Sequence, residues 1–238
     1  MRVIGVDGCR GGWICIALEG TGDAPPQWWV STDFADVMER SPPADLVLVD
    51  IPIGLLDEGP DPRAPDRLAR RMLGGKRASS VFSAPVRPVL EAPDYAAANA
   101  LSRRLTGKGL SRQSWAIVPK IRQVDEFLRS RPGWISRVRE VHPELCFHAF
   151  AGGRAMQHNK KTDEGFRERF ALLVDRYPEA ERLLGAILLH AGKRVARDDA
   201  VDALAAALTG LEDAPLTSIP EMPERDAVGI PMEMVYAE

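Results

Sequence analysis

Residues 2–13 read RVIGVDGCRGGW, and this stretch predicts the start of a β-sheet. A short apolar run at 3–6 leads to Asp7, three glycines follow within five residues, and a second apolar run begins at Trp13. Two such runs joined by a glycine-rich connection favour a β-hairpin. Asp7 is then expected at or beside the turn, at the exposed end of a buried strand. Its carboxylate could bind a metal ion there, although an aspartate also commonly does no more than start a turn.

Residues 46–50, LVLVD, repeat the same pattern of an apolar run that ends on an aspartate. A run that is apolar at every position is typical of a strand buried on both faces. If the two strands lie side by side in one sheet, Asp7 and Asp50 reach the same edge. Open sheets bind ligands at such edges.

Residues 198–211, DDAVDALAAALTGL, predict a helix that begins with acidic residues. Asp202 shares a helix face with Asp199 and also with Asp198, and like charges at these spacings cost about 0.2–0.5 kcal/mol. A divalent cation would offset that cost. The alanines that follow would let the helix pack closely against the sheet. In the alternative interpretation, Asp198 and Asp199 only favour the helix N-terminus, and Asp202 is exposed.

A strand predicted at residues 135–141 adds a glutamate at or just beyond its end. The resulting candidate catalytic and metal-binding set is Asp7, Asp50, Asp199, Asp202 and either Glu140 or Glu144. Carboxylate oxygens suit Mg²⁺ or Mn²⁺. Two such ions about 4 Å apart can activate water and stabilise the leaving oxygen in phosphodiester hydrolysis.

The net charge of −3 conceals a basic segment. Residues 61–139 carry a net charge of +11, and the rest of the chain carries −14. Such a segment indicates a surface for phosphates or nucleic acid, unless it folds against acidic neighbours. Residues 76–85, KRASSVFSAP, combine cations with small hydroxyls, as phosphate-contacting loops do. The candidate phosphate-binding residues are Lys76, Arg77, Ser79, Ser80 and, beside the first aspartate, Arg10.

The size and composition, 238 residues with 45% hydrophobic and 27% charged, are typical of a globular protein. No apolar run is long enough to span a membrane, and three cysteines without a CxxC motif favour the cytoplasm. We expect one domain at residues 1–211 with a basic helical insertion at about 57–134, and a packed tail at 212–238. The apolar stretch at 230–235 makes a homodimer contact a further expectation.

Five motifs resemble those of the DUF429 family: GVDGCRGGW, VDIPIGL, KRASSVFSAPVR, EVHPELCF and DDAVDALAAALTG. That family is regarded as one of predicted nucleases of the ribonuclease H-like superfamily. The resemblance implies an α/β fold with a mixed sheet, in which strands one to three are antiparallel and later strands parallel, flanked by helices. It implies Asp50 as the second acid and favours Glu144 over Glu140. The last helix also resembles that of RuvC-type resolvases, which implies the pair Asp199 and Asp202.

These observations together predict a nuclease, a hydrolase that uses Mg²⁺ or Mn²⁺ to cleave DNA or RNA. Two alternatives remain open at the level of sequence. One is a non-catalytic protein that binds nucleic acid through the basic segment. The other is an ATP-dependent phosphotransferase of the actin and sugar-kinase superfamily, which shares the same core.

Overall fold

The N-terminal hairpin lies at the centre of a five-stranded sheet in the computed structural model, which describes residues 1–20, 24–41, 43–212 and 215–237, the side chain of Lys76 excepted. The strands are β1 Arg2–Cys9, β2 Gly12–Glu19, β3 Gln27–Ser31, β4 Leu46–Val49 and β5 Val138–Glu140. Their order is β3-β2-β1-β4-β5. The first three are antiparallel, and β4 and β5 continue in parallel. This confirms the predicted mixed sheet and is consistent with a ribonuclease H-like fold.

The hairpin is longer than the sequence predicted. Only residues 10 and 11 form the turn, because Gly12 already belongs to β2 and adopts a φ of 122°. A side chain at Gly12 would place its Cβ 2.0 Å from the Ser31 carbonyl oxygen, so only glycine fits. Asp7 consequently pairs with Ile14 inside β1 and is buried. The expectation that Asp7 lies at an exposed strand end is therefore wrong.

The parallel pairing of β1 with β4 places two aspartates at one edge. The last pair in this ladder is Val6 with Val49. Asp7 and Asp50 each follow directly, and the Asp50 backbone N–H donates to the Val6 carbonyl oxygen at 2.9 Å. Both residues therefore lie at the carboxyl end of the parallel strands, as the sequence predicted.

Eight α-helices lie within the described ranges: α1 Phe34–Arg40, α2 Ala64–Arg77, α3 Tyr95–Thr106, α4 Arg112–Ser130, α5 Pro143–Phe150, α6 Asp163–Arg176, α7 Ala180–Ala191 and α8 Arg197–Thr209. Helix α2 loses helical geometry at Gly74 and Gly75. Near the C-terminus, strands β6 Leu216–Ile219 and β7 Met234–Ala237 form a separate two-stranded sheet.

Helix α8 packs directly on β1. A Cβ added to Gly5 would lie 2.0 Å from the Ala203 carbonyl oxygen and 2.4 Å from the Ala207 nitrogen. The backbones of strand and helix therefore touch at Gly5. The alanines that make this approach possible are fully buried. The consequence for function is that the acidic start of α8 is brought to the sheet edge.

The chain divides into two compact units. The first comprises Met1–Ile51, Ser136–Thr217 and Val235–Glu238, and it contains the five-stranded sheet. The second comprises Pro52–Ile135 and Ser218–Met234, and helices α2 to α4 belong to it. The predicted insertion at 57–134 falls within the second unit. The domain boundaries at 211 and 212, and the homodimer, stay predictions.

Candidate metal centre

Three aspartates of the first unit meet at the carboxyl edge of the sheet. Asp7 comes from β1, Asp50 follows β4, and Asp202 comes from the second turn of α8. Each offers a carboxylate oxygen, and these oxygens lie within 4.8 Å of one another. Asp202 is only 1% exposed and Asp7 only 7%. The structure therefore brings together three of the residues predicted from sequence, and we call them the aspartate cluster.

The aspartate cluster is electrostatically unfavourable as it stands. Burial raises the pKa of Asp50 and of Asp202 to about 6. The pKa of Asp7 is raised well above its usual value, first by burial and then by the charges of Asp50 and Asp202. Burial and like charges both disfavour the ionised form. A cation bound among the three carboxylates would favour their ionised forms and so offset both effects.

Lys160 supplies a positive charge to the aspartate cluster. Its Nζ donates to Asp202 Oδ2 at 2.5 Å, and its side chain is 36% exposed. The carboxylates raise the pKa of Lys160, with Asp202 the largest cause. The sequence analysis did not identify this residue, because Lys160 and its neighbour Lys161, in the loop before α6, belong to no distinguishing pattern.

Glu144 lies beside the cluster, in an ion pair of its own. It occupies the first turn of α5, where its backbone N–H donates to Nδ1 of His142 at 3.3 Å. Its Oε1 accepts a hydrogen bond at 2.5 Å from Nη2 of Arg169, which is 1% exposed. The charge of Glu144 contributes to the raised pKa of both Asp50 and Asp202. Inference from the sequence did not identify Arg169 either, since no local pattern distinguishes it from the other arginines of α6.

The remaining acidic candidates lie outside the group of three. Asp199 accepts a hydrogen bond at 2.9 Å from the Ala196 backbone N–H, which fixes it at the helix start. Burial raises its pKa to about 6, and its charge in turn raises the pKa of Asp7 and Asp50. Asp198 is half-buried, and Glu140 is buried at the end of β5. Their roles as ligands stay predictions.

Two oxygen atoms test whether the site suits a metal ion. Oδ1 of Asp202 and Oε2 of Glu144 are buried and have no hydrogen-bond partner among the described residues. A buried carboxylate oxygen without a partner is costly and needs an explanation. A divalent cation, bound through oxygen ligands, provides one. The donor set of the aspartate cluster, with Glu144 nearby, therefore fits a divalent metal.

The predicted phosphate-binding residues occupy different parts of the chain. Arg10 is exposed in the turn between β1 and β2 of the first unit. Arg77, Ser79 and Ser80 belong to the second unit, where the Ser80 hydroxyl donates to the Arg77 carbonyl oxygen at 2.6 Å. The side chain of Lys76 lies outside the described part of the structure. Phosphate binding by these residues stays a prediction.

Comparison with known families gives one finding. The model of DUF429, described as a protein of unknown function, matches residues 5–225. This chain belongs to the DUF429 family. The match confirms the resemblance drawn from the motifs, and it includes every residue of the aspartate cluster. Searches of curated proteins and of solved structures return no match.

The DUF429 description assigns no reaction, so the chemistry of this member has to be inferred from its site. The family and the buried carboxylate cluster are compatible with metal-dependent catalysis. No helix in the described ranges has the length and apolarity needed to cross a bilayer.

Proposed function

We propose that this DUF429 protein is a nuclease that hydrolyses phosphodiester bonds of nucleic acid with Mg²⁺ or Mn²⁺. The observation that carries the proposal is the aspartate cluster: three carboxylates within 4.8 Å, two of them almost fully buried. Burial and mutual repulsion of these charges cost folding free energy, and the raised pKa values of the three aspartates reflect that cost. A cation that binds the folded state offsets this cost.

Charge balance favours a metal-dependent reaction. With its three aspartates ionised and Lys160 protonated, the site carries a net negative charge. A phosphodiester is also an anion, so the site would repel it until cations neutralise the carboxylates. Asp7, Asp50 and Asp202 would hold the metal. Glu144 lies near enough for its charge to raise the pKa of Asp50 and of Asp202. Mg²⁺ or Mn²⁺ bound there supplies a Lewis acid and lowers the pKa of a coordinated water.

The residues of the chain have separate tasks in this proposal. The β1–β4 ladder and α8 hold the three carboxylates at fixed positions, which preorganises the site. Lys160 is partly exposed, and its ammonium group can donate a hydrogen bond to a phosphate oxygen. Arg169 holds Glu144 in position through their buried ion pair.

The basic segment favours one alternative, a protein that binds nucleic acid without cleaving it. Residues 61–139 carry a net charge of +11, which suits phosphate contacts in either case. A protein that only binds has no need for buried, mutually repelling carboxylates. The aspartate cluster therefore favours the nuclease.

The experiment is a cleavage assay on single- and double-stranded DNA and RNA and on a branched junction. Each substrate is incubated with Mg²⁺, Mn²⁺ or EDTA. The wild type is compared with Asp7→Asn and with Asp175→Asn, a control on α6 whose side chain is 83% exposed. We expect metal-dependent cleavage that Asp7→Asn abolishes and Asp175→Asn retains. Metal binding without cleavage of any substrate, or cleavage that survives Asp7→Asn, would contradict the proposal.

A further inference from the structure

The second compact unit contains a cavity of about 420 Å³. Its lining residues all fall between positions 56 and 114, so the cavity is built entirely within that unit. Pockets that bind small molecules in proteins measure about 300–1,000 Å³. The cavity is thus large enough for a ligand of a few dozen atoms, and its lining shows which kind.

Arg70 on α2 presents a fixed cationic group to this cavity. Its Nε donates to the Val81 carbonyl oxygen and its Nη2 to the Ser83 hydroxyl, each at 2.9 Å. These two bonds hold the guanidinium in place and leave Nη1 without a partner among the described residues. An arginine that is already ordered loses little entropy when it binds an anion.

Lys108 adds a second positive charge to the lining. Its Nζ donates to the Pro60 carbonyl oxygen at 2.6 Å, which leaves two of its three N–H donors for a ligand. Arg63 also lines the cavity but is paired with Asp66 in a buried ion pair at 2.6 Å. The acidic member of the lining is Asp61, which is exposed. The available charge is therefore positive and favours an anion.

The rest of the lining combines small hydroxyl groups with apolar side chains. Hydroxyls come from Ser79, Ser83 and Ser111, and these groups commonly contact phosphate oxygens. Phe82 lies in the same lining and is 41% exposed, which is unusual for a phenylalanine. An exposed aromatic ring beside cationic groups is the arrangement on which nucleic-acid bases stack.

We propose that this cavity is a nucleotide-binding site. Arg70 and Lys108 donate hydrogen bonds to the phosphate, and the base stacks on Phe82. The site lies in a different unit from the aspartate cluster, and binding there requires neither a divalent cation nor cleavage. It deepens the proposed function by providing a pocket for one nucleotide of a nucleic-acid strand.

The experiment measures binding to the full-length protein by calorimetry in the presence of EDTA. The probes are adenosine 5′-monophosphate, cytidine 5′-monophosphate, adenosine and inorganic phosphate. We expect both monophosphates to bind, and to bind more tightly than adenosine or phosphate. Arg70→Ala should weaken them at least about tenfold, because a charge-assisted contact is lost. The matched control is Arg71→Ala, which removes an exposed arginine of α2 that is not in the lining.

Two further variants separate the parts of the ligand. Phe82→Ala should weaken the monophosphates about tenfold and leave the affinity for inorganic phosphate unchanged. Lys108→Ala replaces Arg70→Ala as the test of charge if thermal denaturation shows that Arg70→Ala is unfolded. Absence of monophosphate binding would overturn the inference. So would equal effects of the Arg70 and Arg71 variants, or phosphate binding as tight as that of the nucleotides.

This inference and the proposed nuclease activity can fail separately. Asp202→Asn is expected to lose cleavage and to bind both monophosphates as the wild type does. Nucleotide binding in a wild type that cleaves nothing would overturn the nuclease and support the cavity. Cleavage by a protein that binds no monophosphate would do the opposite.

Discussion

Replacing Asp50 by asparagine is expected to make the metal-free protein more stable. The pKa of Asp50 rises from its ordinary 3.8 to about 6, with burial the largest cause. Each pKa unit corresponds to about 1.4 kcal/mol, so the ionised form costs up to about 3 kcal/mol in the folded state. Asparagine resembles the protonated acid in shape and lacks the charge. Allowing for relaxation around the site, we expect a gain of about 2 kcal/mol at neutral pH.

The pH dependence follows from the sign of the shift. A raised pKa means that the folded state binds the proton more tightly than the unfolded state does. Wild-type stability should therefore fall as pH rises from about 4 to about 6, the interval between the unfolded and folded values. The stability of Asp50→Asn should equal that of the wild type near pH 4, about the lower limit of this interval, and exceed it above about pH 6.

The assay is thermal and urea denaturation in EDTA and in Mn²⁺, across this pH range. A metal at 100 times its dissociation constant adds about 2.7 kcal/mol to the wild type, and less to a variant that lacks one ligand. The stability advantage of Asp50→Asn should therefore shrink when Mn²⁺ is added, and the order reverses where the variant gains less than about 0.7 kcal/mol from the metal. Asp175→Asn, which changes an exposed charge, is the control. A variant that is less stable than the wild type in EDTA at neutral pH, or an equal gain from Mn²⁺ in both, would refute this reasoning.

Three other substitutions test the surroundings of the aspartate cluster. Lys160→Met should lower the free energy of unfolding in EDTA by about 1 kcal/mol, because Asp202 loses its ion-pair partner at 2.5 Å. The loss is small because the lysine is partly exposed and solvent already screens the pair. Added Mn²⁺ should remove this loss, as measured by urea denaturation. Arg169→Met should destabilise by about 3 kcal/mol, since it removes the ion-pair partner of the buried Glu144 side chain. Combining it with Glu144→Gln should recover part of that loss, and no recovery would show that packing, not charge, explains the effect. Gly5→Ala should lower both stability and Mn²⁺ affinity, measured by calorimetry, because its Cβ would overlap the backbone of α8; unchanged affinity would mean that α8 is not positioned by this contact.

The fold was accessible from the sequence where local patterns carry the information. The apolar runs at 3–6 and 46–49 gave the two central strands, and their trailing aspartates gave the sheet edge. The alanines of α8 indicated close packing, which Gly5 accommodates. Each of these signals depends on neighbours in sequence, because strand burial and helix packing follow from side-chain periodicity.

The site was less accessible, and Asp199 shows why. Asp199 and Asp202 lie on related faces of α8, so the sequence treated them alike. The structure separates them, because the Asp199 carboxylate bonds to the Ala196 N–H at the helix start and Asp202 lies one turn further on. A capping bond is a local competitor for a carboxylate. Whether an aspartate of α8 makes this capping bond or joins the aspartate cluster depends on where the sheet meets the helix.

The sequence by itself determined the order of the first strands, the aspartates that end them and the acidic, alanine-rich last helix. Only the tertiary structure decided that Asp7, Asp50 and Asp202 form one group, that Lys160 and Arg169 supply their countercharges, and that Asp7 is buried within its strand. The physical reason is that Coulomb interactions and burial depend on distance in space. Residues from separate strands, loops and helices come close enough to interact only when the sheet and α8 have packed together.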